Sequence, residues 1–173
     1  MTGRLILSFS FLFFFGLLNA QSGGACKCCE AAFRQFDFWV GDWETTANGK
    51  LAGTNHIVIL QDSCVIQENW VSAGGQYTGT SYNFYDPQEK KWRQTWVDNQ
   101  GGSLLLTGGL ENGSMVMYSG EMINQAGKPY TNRITWTPNP DGTVRQLWEA
   151  TTDGGATWKS LFDGLYTRKK INK

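Results

Sequence analysis

Few side chains in this sequence could carry chemistry, and their spacing narrows what that chemistry is. The four cysteines are Cys26, Cys28, Cys29 and, well apart, Cys64. A C-x-C-C cluster with one distant partner is not the paired C-x-x-C spacing of a tetrahedral zinc site. Disulfides are expected instead, with Cys64 joined to Cys28 or to Cys29 so that the N-terminal segment is stapled to the body of the fold. The single histidine, His56, is too little for a histidine metal site or a Ser-His-Asp set, and its context TNHIVIL reads as a half-exposed strand position. No metal and no cofactor follow from these residues. The carboxylates Glu68, Asp98, Glu149 and Asp163 fall in strand-like runs and could in principle form an acid/base pair of the glycosidase kind. No glycine-rich loop opens a helix in the way that cradles phosphate.

Residues 1–20 combine Arg4, an apolar run from Leu5 to Leu18 and a small-residue cleavage site at Ala20, the pattern of a secretory signal peptide. An uncleaved N-terminal anchor is the alternative. The chain is expected to be exported, periplasmic or secreted, where thiols oxidise. A lipid on Cys26 would make it a lipoprotein, although Gly23 replaces the usual Leu three positions earlier. Membrane association is expected only through that lipid or an uncleaved leader. All eight Trp and all six Tyr lie beyond the leader. With 15 basic and 15 acidic residues and no basic block, the electrostatic footprint of a nucleic-acid partner is missing.

Residues 21–40 hold the cysteine cluster and one stretch, 29–39, able to form a short helix. From 41 to 170 the chain reads as a single β domain. Its candidate strands are 42–48, 53–60, 64–71, 77–85, 91–98, 103–109, 114–121, 130–137, 143–151 and 157–168. Turn chemistry separates them: SAGG, DPQEK, DNQGG, ENGS, NQAGK, PNPDG and TDGG. Gly, Asn, Asp and Pro supply the backbone angles that tight hairpins need. Short strands at this spacing predict an all-β, antiparallel up-and-down barrel of about ten strands. The stretch 151–158, TTDGGATW, fits the Asp-box pattern and predicts a hairpin with no catalytic part.

Alternation along strands separates two faces. One parity collects Ile66, Glu68 and Trp70; Asn83 and Tyr85; Trp92, Gln94 and Trp96; Asn132, Ile134 and Trp136; Gln146 and Trp148; Phe162 and Tyr166. The other collects Arg93, Arg133, Arg145, Glu149 and Asp163, which marks it as the polar, solvent side. On this reading Glu68 and Asp98 face inward. Amides and a carboxylate then share the interior with tryptophans and must be hydrogen-bonded there. Two accounts stay open. These groups bond to one another and to indole N–H groups, or they line a wet cavity for an amphipathic ligand.

Gly41-Asp42-Trp43 places G-x-W at the mouth of the first strand, and Tyr166-Thr167-Arg168 ends the last. This resembles the opening signature of the calycins, the lipocalins and fatty-acid-binding proteins. The resemblance implies that Trp43 closes the barrel floor beneath Arg168, a pairing that cation–π attraction would favour. The runs RQFDFWVGDWE (34–44), NFYDPQEKKWRQTWVD (83–98), RITWTPNPDGTVRQLWE (133–149) and TDGGATW with FDGLY (152–166) resemble an uncharacterised family of exported bacterial calycin-like barrels. That likeness implies a fold and hardly a function. Related nitrobindin-like barrels hold haem through a late histidine that this chain lacks.

The expected function is an exported barrel that binds a small amphipathic or apolar molecule in a Trp-lined cavity, the ligand's identity being open. The residues expected to line it are Glu68, Trp70, Asn83, Gln94, Trp96, Trp136, Gln146 and Trp148. Indoles would supply apolar area, and the amides and Glu68 would orient polar groups. One alternative is a hydrolase-like or isomerase-like enzyme with Glu68 as general base. Another is a structural or interaction barrel with a filled core.

Overall fold

The computed structural model describes residues 26–170. The predicted leader, the Cys26-preceding residues and the uncleaved-anchor alternative lie outside the described residues. Two 3-10 turns, Ala31–Arg34 and Asp37–Trp39, stand where one short helix was predicted. Eleven strands follow: β1 (Gly41–Ala47), β2 (Lys50–Leu60), β3 (Val65–Ser72), β4 (Thr78–Asp86), β5 (Lys91–Asp98), β6 (Ser103–Glu111), β7 (Ser114–Tyr118), β8 (Met122–Ile123), β9 (Pro129–Pro138), β10 (Val144–Thr151) and β11 (Lys159–Arg168).

From β1 to β7 each strand pairs antiparallel with the next, β9 meets both β7 and β10, β10 meets β11, and β11 returns to β1. The sheet therefore closes into an up-and-down barrel of ten strands, with β8 as an addition. Closure removes the unpaired edges that an open sheet exposes. The predicted strand 114–121 ends early because Ser119 interrupts it. Its backbone N–H donates to Asn132 O at 3.0 Å, and its hydroxyl accepts the Asn132 N–H at 2.8 Å. Pairing then resumes as β8 against Pro129 and Tyr130.

The turns follow the sequence. Asn48-Gly49 and Asn112-Gly113 both sit at positive φ, the two-residue hairpin geometry whose twist matches the strands. The β2–β3 turn is different. Gln61, Asp62 and Ser63 all take positive φ, a conformation disfavoured for residues with a Cβ. Two contacts from the N-terminal segment hold it: the Cys28–Cys64 disulfide and the Arg34 guanidinium, which donates to Ser63 O. Cys64 thus pairs with Cys28 rather than Cys29, while Cys26 pairs with Cys29. A sulfur engaged in that bond cannot also carry a thioether lipid, which speaks against the lipoprotein alternative. Two disulfides fit an oxidising compartment. Among the described residues, no helix is long and apolar enough to cross a membrane.

The N-terminal segment does more than lead into the sheet. Phe36 and Trp39 are fully buried and plug one end of the barrel. Their rings stack at 4.9 Å, and Phe36 meets Trp92 and Trp136 edge-on at 5.7 and 5.2 Å. Trp43 lies in this floor, its indole N–H donating to Trp39 O at 2.8 Å. The Arg168 guanidinium covers the Trp43 ring at 3.9 Å and donates to Val40 O at 2.6 Å. Gly41 has φ of 137°, and a Cβ there would come within 1.7 Å of an Arg168 nitrogen. Only glycine leaves the arginine room to close the floor.

Outward, Arg133 pairs with Glu149 and Arg145 with Asp163, both at 2.8 Å. The outer face is less polar than its charges imply, since Val71, Tyr82, Val97 and Leu105 are exposed across β3 to β6. The Asp-box residues form the β10–β11 hairpin, where Asp153 accepts from the Thr151 and Thr157 hydroxyls at 2.7 and 2.6 Å.

Candidate functional site: a cavity above a polar chain

The barrel interior has two halves. Towards the floor it is filled by Phe36, Trp39, Trp43, Trp92, Trp136, Leu106, Met115 and Met117. Towards the mouth, where the β3–β4, β5–β6 and β10–β11 connections lie, it encloses a cavity of about 670 Å³. That volume is within the range of small-molecule sites, roughly 300–1,000 Å³.

Six of the eight residues predicted to line a cavity do so: Glu68, Trp70, Gln94, Trp96, Gln146 and Trp148. Asn83 and Trp136 do not reach it. Trp136 is drawn down among Phe36 and Trp39, because the N-terminal segment predicted as a short helix over 29–39 plugs that end of the barrel. Asn83 sits two residues deeper than Glu68 on the shared β3–β4 ladder, opposite Ile66.

The walls stay open because two glycines leave space for indoles. A Cβ on Gly53 would meet Trp70 Cζ2 at 2.6 Å, and one on Gly79 would meet Trp96 Cζ2 at 2.1 Å. Each indole therefore lies flat against its neighbouring strand instead of crossing the barrel. Phe162 and Trp148 complete the aromatic wall, with the Trp148 N–H held by Asn132 Oδ1 at 2.8 Å.

A continuous chain of side chains separates the two halves. From β10 to β5 it runs Gln146, Tyr166, Asn55, Glu68, Ser81, Asn83, Gln94. The Tyr166 hydroxyl donates to Gln146 Oε1. Asn55 Nδ2 donates to Glu68 Oε1 at 2.7 Å and, more weakly, to the Tyr166 oxygen at 3.5 Å. Ser81 donates to Glu68 Oε2 at 2.7 Å and accepts from Asn83 Nδ2 at 3.0 Å. Gln94 Nε2 donates to Asn83 Oδ1 at 2.7 Å.

One backbone group fixes the polarity of that last part. Ile66 O can only accept, so the Asn83 amide nitrogen that it binds at 3.1 Å must donate. Asn83 Oδ1 then accepts, Gln94 must offer its nitrogen, and the Gln94 carbonyl is left as an acceptor at the cavity. The interior amides thus bond to one another and also floor a cavity.

Glu68 is the charged member. Burial raises its pKa from the usual 4.5 to about 7, the hydrogen bonds from Ser81 and Asn55 opposing the rise. Burial also pushes the Tyr166 hydroxyl up, with the Glu68 charge adding to the effect. Asp98 lies at the rim of the cavity. It accepts from the Tyr77 hydroxyl at 3.1 Å and from the N–H groups of Gly102 and Gln100 at 2.8 and 2.9 Å. Those backbone bonds hold its pKa below the ordinary carboxylate value.

Sequence reasoning missed Asn55, Ser81 and the rim residue Tyr77. Asn55 was hidden because β2 carries Ile and Val on both parities, so alternation there reports no side. The neighbouring His56, exposed and 2.6 Å from Asp42, was the available signal. Among the described residues, no cluster of three or more His, Cys, Asp or Glu could hold a metal.

Neither a protein-family model nor a curated protein matches this chain. Its closed antiparallel form and its covered floor tryptophan are compatible with a calycin-like fold.

Proposed function

We propose that this barrel binds a small amphipathic molecule in its upper half and works outside the cytoplasm, in the periplasm or as a secreted protein. The observation that carries the reading is the cavity of about 670 Å³, walled by indoles and floored by a hydrogen-bonded polar chain. A barrel needed only for stability has no use for glycines that hold Trp70 and Trp96 off the axis, because filling the space would gain dispersion contacts. The apolar wall supplies area to an apolar body, and Glu68, Gln94 and Gln146 supply directional contacts at the base. The two disulfides support the exported setting.

The test is a titration of the oxidised protein with Nile red, a neutral dye whose emission rises on leaving water. Wild type brightens it saturably at one site. Trp96→Ala and Trp148→Ala weaken binding about tenfold or more while keeping the barrel's far-ultraviolet spectrum. Unchanged dye affinity in both folded variants would remove the cavity from the account.

Glu68 favours a second reading, catalysis in the same cavity, because its carboxyl is held near neutrality at about 7, where a general base works best. Both its oxygens already accept hydrogen bonds, and no second acid or base shares its chain except Tyr166. A Glu68→Gln protein that binds a ligand normally but no longer converts it would favour the enzyme.

A further inference from the structure

The charge inventory of the cavity narrows the ligand class, and this step rests on the binding reading above. Among the described residues, two carboxyl groups line the cavity, Glu68 at the base and Asp98 at the rim, and no Lys, Arg or His does. Lys50, Lys128 and Lys159 stand at the mouth end of the barrel but are exposed to water, where salt screens them. The wall between the carboxyls is aromatic: Trp70, Trp96, Trp148 and Phe162. Indole faces attract cations, more strongly once water is excluded. At the base, the Gln94 carbonyl is fixed as an acceptor by the relay from Ile66 O. Each Glu68 oxygen takes one hydrogen bond, which leaves lone pairs for a further donor. The neutral amide donors left over at the base are the Gln146 nitrogen and the second N–H of Gln94, whose first is spent on Asn83.

An anionic ligand such as a fatty acid would find no countercharge here and would face two acids. A carboxylate buried without a cationic partner is costly. A cationic headgroup meets aromatic faces, a carbonyl and two carboxyls. We propose that the cavity selects organic cations, molecules with an ammonium group on an apolar body, and discriminates against carboxylates of the same size. Asp98, ionised at the rim, draws the cation in, and Glu68 receives it at depth.

The test compares three matched probes by calorimetry on the oxidised protein at pH 8: octylammonium, octan-1-ol and octanoate. The expected order is octylammonium over octan-1-ol over octanoate, with about tenfold or more between the first and the last. Glu68→Gln should erase most of the preference for octylammonium and keep the affinity for octan-1-ol. Should Glu68→Gln fail to fold, Asp98→Asn serves, with a reduced preference expected again. Octanoate binding as tightly as octylammonium would overturn the cation assignment while leaving the binding reading in place. A protein that binds none of the three would overturn both. A cation preference unchanged in folded Glu68→Gln and Asp98→Asn would also sink the proposal, because the carboxyls would then not be its source.

Discussion

Replacing Glu68 with Gln should change how stability depends on pH more than it changes stability at low pH. Folded Glu68 keeps its proton up to about 7, whereas the unfolded chain releases it near 4.5. Between those values the folded state binds the extra proton, so stability falls as pH rises. The contribution is fully present below about 4.5 and is lost as pH climbs through about 7. At about 1.4 kcal/mol per pH unit, the loss is about 3 kcal/mol. The groups facing Glu68 are Asn55 from β2, Ser81 from β4 and Tyr166 from β11, and Tyr77 and Asp98 stand at the rim nearby. None of these gains or loses charge across that window, since Asp98 is already ionised and the two tyrosines have raised pKa values. The neutral amide of Gln imitates the protonated acid and can donate to Ser81. Urea unfolding of both proteins at pH 4.5 and pH 8, at fixed ionic strength, reads the effect. Wild type should lose about 3 kcal/mol more than Glu68→Gln between the two conditions. Equal losses in the two proteins would refute the reasoning, because Glu68 would then titrate as an exposed acid does.

Three further outcomes are expected. Gly79→Ala should push the Trp96 indole, whose Cζ2 would lie 2.1 Å from the new Cβ, into the cavity; Nile red titration should show about tenfold weaker binding, and urea unfolding a stability loss of about 1–3 kcal/mol. Arg168→Ala removes both the cover of Trp43 and the bond to Val40 O, which should cost about 2 kcal/mol in urea unfolding and leave dye affinity nearly unchanged. Replacing Cys28 and Cys64 by Ser opens a loop of sequence separation 36 and should cost about 4 kcal/mol, while replacing Cys26 and Cys29, separated by 3, should cost under about 2; thermal melts of the two double variants decide it.

The barrel was legible because nearly every strand has one polar and one apolar parity and ends in a residue that can turn. Strand positions such as Trp92, Gln94 and Trp96 show the period without ambiguity, and their inward direction follows at once. The inward amides were legible too, as residues of the wrong polarity on a buried parity. What they bond to was not, because partners come from strands far apart in sequence: Asn55 and Tyr166 differ by 111 positions. The division of the interior into a filled and an open half was also hidden. It depends on Phe36 and Trp39 entering the floor, and the nine-residue stretch 31–39, AAFRQFDFW, folded as two 3-10 turns, carries no periodic signal. Gly53 and Gly79 fell inside the predicted strands 53–60 and 77–85, but that they make room for indoles carries no signal in the sequence.

The central claim is that the upper half of this barrel holds a small molecule. Native mass spectrometry of the oxidised protein purified from its own host, followed by denaturation, tests it most directly. The account predicts an adduct that leaves on unfolding and is lost from Gly79→Ala prepared in parallel. An adduct retained in full by folded Gly79→Ala, or a bare mass together with no saturable uptake of added Nile red, would contradict it.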